Sequence, residues 1–471
     1  MSFFSLRFGV FFAVTVALYF LSPGRLRVPV LLAASVVFYM SFVPQYIFLL
    51  AGLITIDYFT ARLLERAEGP AIRKAWLILS LTANGAFMAS FKYSPDVFGK
   101  SLGVIPLGLS FHTFQAMGYM IEVYRRRQAA ERSFLVFALY ILFFPQIAAG
   151  PIERPQDLLP QFREEHKFSY RNAVSGLQLM AWGLFQKSVV AALLAPFVNA
   201  VYQNPASHSG PVVLAAAICF SFQIFCDFSG YSDIAVGSAQ VMGFRLTRNF
   251  NRPFQADSMA EYWKRWHISL SNWMRDYIFY PLCGRRPGIP RICASIMLVF
   301  LANGLWHGAR WNYLISGFLH GSYRVTELVA TRAMSRRGWS VPPFLERPAR
   351  LSRMLLVFTL MTFAFVFFRG QNLPKTLLTI SSLFHGWSGM ASRGALMAEF
   401  AAVGVGPIRM LLFVALIGMV QAVQFLQRSV PLRLRISAQP FWLRWSFYYS
   451  AGVAFVVLAP VESLPFIYFQ F

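Results

Sequence analysis

Charged residues are scarce in this sequence, and acidic ones are scarcer still. Only 13% of the 471 residues are charged, with 19 acidic side chains against 43 basic ones. A soluble globular protein carries about 25% charged residues and about 45–50% apolar ones. Here 57% of the chain is hydrophobic. This shortage of charge excludes a soluble protein of such length, because its surface would lack the necessary polar cover.

Cysteine is also rare, and its spacing argues against two kinds of stabilising site. The chain has four cysteines, which show neither the spacing of metal ligands nor a disulfide framework. We therefore predict no metal site and interpret these residues as apolar filling side chains. They are Cys219, Cys226, Cys283 and Cys293.

Long apolar runs recur along the chain and predict membrane-spanning helices. Each helix must cross about 30 Å of hydrocarbon, and some runs need flanking residues to reach that length. We predict an all-α, polytopic integral membrane protein with about ten to twelve crossings. Because no polar segment is long enough for its own core, we expect residues 1–471 to form one membrane domain. The clearest runs are 8–21, 28–43, 77–91, 133–147, 292–305, 354–368, 410–423 and 447–459.

Basic residues gather in the connections between the apolar runs. In a soluble protein the net charge of +24 would favour nucleic acid as a partner, but arginines between spans are typical of cytosolic loops. Residues 24–27, 62–74 and 125–127 are basic and alternate with weakly charged connections. The pattern predicts a multi-pass inner-membrane protein with an extracytoplasmic N-terminus, membrane lipid as a partner and no nucleic-acid partner.

Residues 249–282 combine aromatic and basic side chains in a helical pattern. Asp257 or Ser258 can cap a helix whose first turn contains Glu261. This segment predicts one amphipathic helix at the membrane interface, with His267 beside its tryptophan-rich face. The residues that recur at three- and four-residue steps are Tyr262, Trp266, Leu270, Trp273, Tyr277 and Tyr280.

A histidine lies within the apolar segment at residues 300–321. An ionisable side chain at membrane depth, such as His307, marks a function or an internal polar partner. A packed, hydrogen-bonded histidine without a chemical role is the alternative interpretation. Gly304 and Gly308 are four residues apart, which would let a neighbouring helix or a ligand approach closely.

Two carboxylates interrupt the apolar segment at residues 220–243. Asp227 and Asp233 are separated by Phe-Ser-Gly-Tyr-Ser, which predicts an irregular or broken helix lining a polar cavity. The pair could bind a cation, relay protons, orient a histidine or form structural hydrogen bonds. It also leaves open a transporter that uses both carboxylates as coupling sites at a broken helix.

Five motifs, in order over about residues 105–325, resemble the membrane-bound O-acyltransferase (MBOAT) family, and most of all its bacterial branch typified by AlgI and DltB. The resemblance implies tilted helices around a central funnel, with short interfacial and re-entrant helices. One departure is His112, where that branch would have a tyrosine. The motifs are PLGLSFHTFQAMGYMIEVYRRR (106–127), FFPQIAAGPIERP (143–155), FCDFSGYSDIAVG (225–237), NFNRPFQADSMAEYWKRWHISLSNWMRDYIFYPL (249–282) and LWHGARWNYLISGFLHG (305–321).

The resemblance also implies a reaction and roles for particular residues. The family's invariant histidine matches His307, and a second, nearly invariant one matches His267, so the resemblance implies that both are catalytic residues. For His267 we expect a supporting or substrate-orienting role, with interfacial packing beside Trp266 as the alternative. We expect Asn303, Trp306 and the two carboxylates to support or orient the reacting groups. No bound cofactor is expected, because the acyl donor is a substrate, acetyl-CoA being our prediction. A neutral imidazole can take the proton of an attacking hydroxyl.

The expected acceptor side of the reaction is extracytoplasmic. The resemblance implies an acetyltransferase partner of the SGNH type, similar to AlgJ or AlgX, and a polysaccharide acceptor such as alginate. Peptidoglycan, teichoic acid or lipid remain open as alternative acceptors.

The last six residues, 466–471, form an F-x-Y-x-x-F ending. This ending resembles the tail of DltX, the small partner of DltB, in which the tyrosine is proposed to carry the acyl group. Basic residues at 428–435 precede the last apolar run and predict an extracytoplasmic C-terminus. Tyr468 is therefore a candidate acyl-carrying nucleophile, with an aromatic anchor at the membrane interface as the alternative.

Overall fold

Every regular element in the described part of the chain is helical, which confirms the all-α prediction. The computed structural model describes residues 1, 3–94, 106, 108–147, 150–338, 341–387 and 392–460, with the backbone alone at position 393. Within these ranges the chain divides into two compact units. The first comprises Met1–Leu184 with Gly230–Asn249, and the second comprises Phe185–Ser229 with Phe250–Phe471.

Twenty-two α-helices lie within the described ranges. The first ten are α1 (Leu6–Leu21), α2 (Gly24–Met40), α3 (Tyr46–Arg66), α4 (Pro70–Lys92), α5 (Leu109–Tyr124), α6 (Phe134–Leu142), α7 (Phe144–Ile147), α8 (Pro155–Leu158), α9 (Tyr170–Phe185) and α10 (Ala192–Gln203). They are followed by α11 (Gly210–Val241), α12 (Met259–Arg265), α13 (Ile268–Met274), α14 (Tyr280–Cys283), α15 (Ile289–His307) and α16 (Trp311–Arg336). The last are α17 (Glu346–Arg369), α18 (Leu373–Ser382), α19 (Arg393–Ala402), α20 (Pro407–Leu426), α21 (Leu432–Ser437) and α22 (Phe441–Leu458).

Six helical segments in the described ranges are long and apolar enough to cross a membrane. Shorter apolar helices accompany them at Leu6–Leu21 and Phe134–Ile147. The polytopic membrane architecture is thereby confirmed, while the larger number of crossings, the funnel and the single domain stay predictions. The six segments are Tyr46–Arg66, Tyr170–Gln203, Gly210–Val241, Ile289–His307, Pro343–Arg369 and Pro407–Leu426.

Large apolar side chains cover much of the outside of these helices. Leu6 is 86% exposed, Ile408 85% and Val456 78%. A soluble monomer rarely exposes contiguous apolar area on this scale. Such surfaces are those of helices that contact lipid, in agreement with the hydropathy of the chain.

The first unit contains a buried polar cluster between α3 and α4. The Asp57 carboxylate accepts hydrogen bonds from Ser80 Oγ at 2.6 Å and from Asn84 Nδ2 at 2.9 Å. All three residues are buried. Because an intramembrane carboxylate must find polar partners, this cluster fixes the register of the two helices.

In the second unit, α15 and α16 form a tightly packed helical hairpin. A Cβ atom at Gly304 would lie 2.4 Å from the Tyr313 carbonyl oxygen, and one at Gly317 would lie 2.3 Å from the Phe300 carbonyl oxygen. No side chain fits such gaps. The prediction that Gly304 permits close helix approach is confirmed, and this contact holds the end of α15 against α16.

The predicted break in the segment that contains Asp227 and Asp233 is wrong. Residues Gly210–Val241 form one continuous α-helix of 32 residues. Gly230 does not interrupt it, because close packing of a buried apolar helix outweighs the modest helical preference that one glycine removes.

Candidate active site

The segment that was expected to form one interfacial helix instead forms two, α12 and α13. As predicted, Ser258 caps α12, accepting from Glu261 N at 3.1 Å. The carboxylate of Glu327, on α16, accepts from Met259 N at 2.7 Å and from Ala260 N at 3.0 Å. A carboxylate at this position is also stabilised by the positive end of the helix dipole. The start of α12 is therefore fixed to α16.

The break between α12 and α13 lies at His267, so the prediction of one continuous helix is wrong. Its φ of 43° places a non-glycine residue in the left-handed region, a conformation that costs energy and persists only where surrounding packing enforces it. The imidazole packs edge-on against Phe228, with ring centroids 4.7 Å apart. Burial lowers the pKa of His267 to about 3, so this imidazole is neutral at physiological pH.

His307 is the last residue of α15, rather than an interior one as the sequence predicted. Its imidazole lies 4.4 Å from the Trp306 ring and 4.8 Å from the Phe368 ring, centroid to centroid. His267 also contacts the Trp306 ring, at 6.1 Å. The structure thus brings Trp306 against both predicted histidines. The side chain of His307 is only 9% exposed.

A small cavity of about 30 Å³ opens beside His307. It has room for about one water molecule. Its walls are mainly aromatic, and two glycines of the α15–α16 hairpin complete them. The residues that line it are Ile224, Trp263, Trp266, Asn303, Gly304, His307, Tyr313, Ser316, Gly317, His320, Phe365 and Phe368.

Three polar atoms of the cavity lining have no hydrogen-bond partner within the described part of the chain. They are Asn303 Oδ1, Trp263 Nε1 and His320 Nδ1. A buried polar atom without a partner is costly, and a ligand or water in the cavity could satisfy it. The lining therefore offers a carbonyl acceptor, an indole N–H donor and an imidazole nitrogen beside His307, a set suited to an ester or thioester and a hydroxyl.

Asp227 is placed differently from the cation or coupling site that the sequence left open. It forms a buried ion pair with Lys187, which lies in the π-helical turn Gln186–Ala191 between α9 and α10. Asp233 lies six residues farther along α11, roughly 9 Å along the helix axis, and belongs to the first unit. Neither carboxylate lines the cavity beside His307.

Sequence reasoning missed Lys187, Trp263 and the cavity-lining role of His320. A lysine in the apolar run 170–203 was the available signal for Lys187, because intramembrane charges seek partners. No sequence signal distinguished Trp263 from the other aromatic residues of its segment. The predicted nucleophile Tyr468 lies outside the described residues. Across the described ranges, no group of three His, Cys, Asp or Glu side chains could hold a metal ion.

The sequence of this chain is similar to a known protein family and to several named proteins. A family model described as "MBOAT, membrane-bound O-acyltransferase family" matches residues 122–369, a range that includes both histidines. The peptidoglycan O-acetyltransferase of Helicobacter pylori is 32% identical over 391 residues, covering 75% of this chain and 73% of that protein. The protein described as "Probable alginate O-acetylase AlgI" in Pseudomonas aeruginosa is 34% identical over 394 residues, covering 80% and 73%. The teichoic acid D-alanyltransferase of Bacillus subtilis is 30% identical over 226 residues, covering 45% and 56%.

Proposed function

The chain belongs to the membrane-bound O-acyltransferase family and is a membrane O-acyltransferase, and from this premise we propose that it moves an acetyl group across the membrane for O-acetylation of an extracytoplasmic polysaccharide. The acetyl group comes from acetyl-CoA in the cytosol and reaches the centre at His307. The observation that carries the proposal is the position of His307 at the end of α15, on the wall of a cavity lined by polar atoms that lack partners within the described residues.

The size of the cavity supports a short acyl group. Its volume is about 30 Å³, and Trp263, Phe365 and Phe368 are among its walls. A two-carbon group requires only a small widening of this space. A long acyl chain requires several packed aromatic rings to move, which costs packing energy. We therefore assign acetyl-CoA rather than a long-chain thioester as the donor.

The chemistry assigned to His307 is general-base catalysis. The imidazole accepts the proton of the attacking hydroxyl as that oxygen forms a bond to the thioester carbonyl carbon. The carbon–sulfur bond then breaks, and the proton passes from His307 to the leaving thiolate. Trp263 N–H is available to donate to the carbonyl oxygen as its negative charge grows.

His267 has a positioning role in this proposal. Its ring packs on Trp306, whose ring also contacts His307. His267 is held in a left-handed backbone conformation between α12 and α13. Its ring thereby fixes the face of Trp306 against which His307, the base, is oriented. A displacement of the base by about 1 Å would be enough to slow the reaction strongly.

The acceptor proposed here is a polysaccharide reached through a partner protein. The relatives named above act on peptidoglycan, alginate and teichoic acid, according to their names. An extracytoplasmic acetyltransferase of the SGNH type, similar to AlgJ or AlgX, would deliver the group. Tyr468 is the proposed carrier within this chain. The protein then lies in the bacterial inner membrane with both termini outside, as the positive-inside pattern favours.

The transporter alternative loses the two features on which it depended. The helix with Asp227 and Asp233 is continuous, and the charge of Asp227 is compensated by Lys187. A coupling site requires a carboxylate that exchanges its ion, at an unwound or polar segment. We therefore retain the acyltransferase as the single proposed function.

The test compares polymer O-acetylation in cells that produce the wild type, His307→Ala or His385→Gln. His385 is an exposed histidine three residues beyond the end of α18 whose Nδ1 contacts the Ser381 carbonyl oxygen, so it serves as a control. We expect His307→Ala to abolish acetylation and His385→Gln to leave it unchanged, at equal membrane abundance. Retained acetylation in His307→Ala would remove the proposed base.

A further inference from the structure

A second cavity lies in the first unit, between the ends of α1 and α2 and the segment that follows α8. Its volume is about 140 Å³, several times that of the cavity beside His307. The aromatic residues of its lining are buried, whereas Arg163, Glu164 and Glu165 are exposed. The residues that line it are Tyr19, Gly24, Arg27, Val28, Leu31, Phe162, Arg163, Glu164, Glu165 and Phe244.

Arg27 supplies a fixed positive charge to this cavity. Its Nη1 donates to the His166 carbonyl oxygen at 2.7 Å, and its Nε donates to the Ser22 carbonyl oxygen at 3.3 Å. The guanidinium also lies 5.3 Å from the centre of the Tyr19 ring. These acceptors are neutral, and no carboxylate of the described chain lies within ion-pair distance of Arg27. The charge is therefore held in place and left uncompensated.

The other arginine of the lining does not offer such a charge. Arg163 is paired with the buried carboxylate of Glu131, with Nη2 2.5 Å from Oε2. The two residues that follow it, Glu164 and Glu165, are exposed and form no ion pair with any described residue. The cavity therefore presents one uncompensated cation and two uncompensated anions to the same ligand. A complementary ligand carries a negative and a positive group a short distance apart.

The surroundings of the cavity favour a lipid over a soluble zwitterion. Leu21 is 83% exposed, Leu26 46% and Phe168 59%. The Phe168 ring packs on Phe20, with centroids 5.4 Å apart. Exposed apolar side chains beside a charged pocket match a molecule with acyl chains next to its headgroup. Arginine is suited to phosphate because its guanidinium can donate two parallel hydrogen bonds.

We propose that this cavity binds the zwitterionic headgroup of a phospholipid of the phosphatidylethanolamine type. The phosphate faces Arg27, the ammonium group faces Glu164 and Glu165, and the acyl chains run along Leu21 and Phe168. Because the site lies at the basic start of α2, which the positive-inside pattern assigns to the cytosol, it takes lipid from the cytosolic leaflet. The site is independent of the acyl-transfer chemistry assigned to His307.

The test measures thermal unfolding of the full-length protein in detergent micelles with added lipid. Short-chain phosphatidylethanolamine and phosphatidylglycerol share the phosphate but differ in the ammonium group, and glycerophosphoethanolamine has the headgroup without acyl chains. A ligand that binds only the folded state stabilises it by RT ln(1 + L/Kd), where L is the free ligand concentration, so at a fixed ligand concentration tighter binding gives a higher unfolding temperature. In the wild type we expect phosphatidylethanolamine to bind about tenfold more tightly than phosphatidylglycerol, since two charge-assisted contacts to its ammonium group are lost, and the soluble headgroup to have little effect.

Variants of the lining residues test whether a preference for phosphatidylethanolamine arises at this cavity. Arg27→Gln should abolish the effect of both lipids, and Arg27→Lys should retain part of it. The double variant Glu164→Gln, Glu165→Gln should bind both lipids equally. Arg25→Gln, in the same first turn of α2, should behave as the wild type. Equal stabilisation by both lipids in the wild type, or an undiminished preference in Arg27→Gln, would overturn the proposal. A full effect of glycerophosphoethanolamine would assign the site to a soluble ligand and equally overturn it.

Discussion

At the scale of single residues, the end of α15 carries the proposed base and is held in place by close helix packing. His307 and Asn303 both line the cavity, and the Gly304–Tyr313 contact fixes the helix end that carries them. Trp263 and His320 reach the same cavity from α12 and α16. The sequence marked His307 through its apolar context. It could not mark Trp263, because only tertiary packing separates that indole from the other aromatic rings nearby.

Replacing Trp263 with phenylalanine tests the role of its N–H group. The change keeps an aromatic wall and removes the one donor that the indole offers. We expect the turnover rate with acetyl-CoA to fall at least tenfold, by analogy with loss of a donor to a developing oxyanion. The KM should change less. Trp311→Phe is the matched control, because Trp311 is 70% exposed and lines neither cavity. Equal rates in the two variants would contradict the donor role.

We expect Glu153 to make the stability of the first unit depend on pH. Burial raises the pKa of this carboxyl to about 7, although hydrogen bonds from Thr247 oppose the shift. A carboxyl group whose pKa rises on folding stabilises the folded state fully below its ordinary pKa near 4.5. That contribution is lost as the pH rises through about 7.

The wild type should therefore unfold at a lower temperature at pH 8.5 than at pH 6. Glu153→Gln keeps an acceptor for Thr247 N, a bond of 2.6 Å in the wild type, and has no charge to bury. We expect the variant to lose most of this pH dependence in detergent-solubilised protein. The exposed Glu68→Gln should retain it. A steep pH dependence in Glu153→Gln equal to that of the wild type would show that other groups cause it.

At the scale of secondary-structure elements, the locations of the apolar helices and the Ser258 cap followed from local pattern. The break at His267 and the continuity of α11 did not. Both depend on what packs against the segment: the Glu327 carboxylate fixes the start of α12, and Phe228 packs against the His267 ring. Local propensity is a weak guide where buried contacts decide the conformation.

The Lys187–Asp227 ion pair joins α11 to the π-helical turn before α10, and its loss should destabilise the second unit. Asp227→Asn removes the charge that compensates a buried lysine, which costs about 3–5 kcal/mol. The double variant Lys187→Met, Asp227→Leu should lose much less, since it buries no charge. Unfolding midpoints in detergent measure the destabilisation of the single and the double variant.

Glu346→Gln provides the control for this prediction, because the Glu346–Arg353 pair is largely exposed. Surface pairs contribute about 1 kcal/mol or less. The contrary result is an Asp227→Asn variant that unfolds like the wild type but abolishes an ion-dependent substrate flux. That result would make the carboxylate a coupling site and would favour the transporter.

At the scale of the whole molecule, the proposed function requires an acyl group to cross a bilayer. In the proposed reaction the donor's thioester is cytosolic and the polymer is outside, which requires access to His307 from both sides of the membrane. Tyr468 is the proposed carrier on the far side, with the interfacial anchor as its alternative. Tyr468→Phe keeps the ring and removes the nucleophile. It should abolish any acyl group on this chain, as measured by intact-protein mass spectrometry. The abundance of the protein in the membrane should not change.

The central claim is tested most directly in sealed vesicles of known orientation. Radiolabelled acetyl-CoA is supplied on the side that corresponds to the cytosol, with the acceptor protein and polymer on the other. We predict label on the far side with the wild type and with His385→Gln, and none with His307→Ala. Far-side label that persists in His307→Ala, with the vesicles shown to be sealed, would contradict the account.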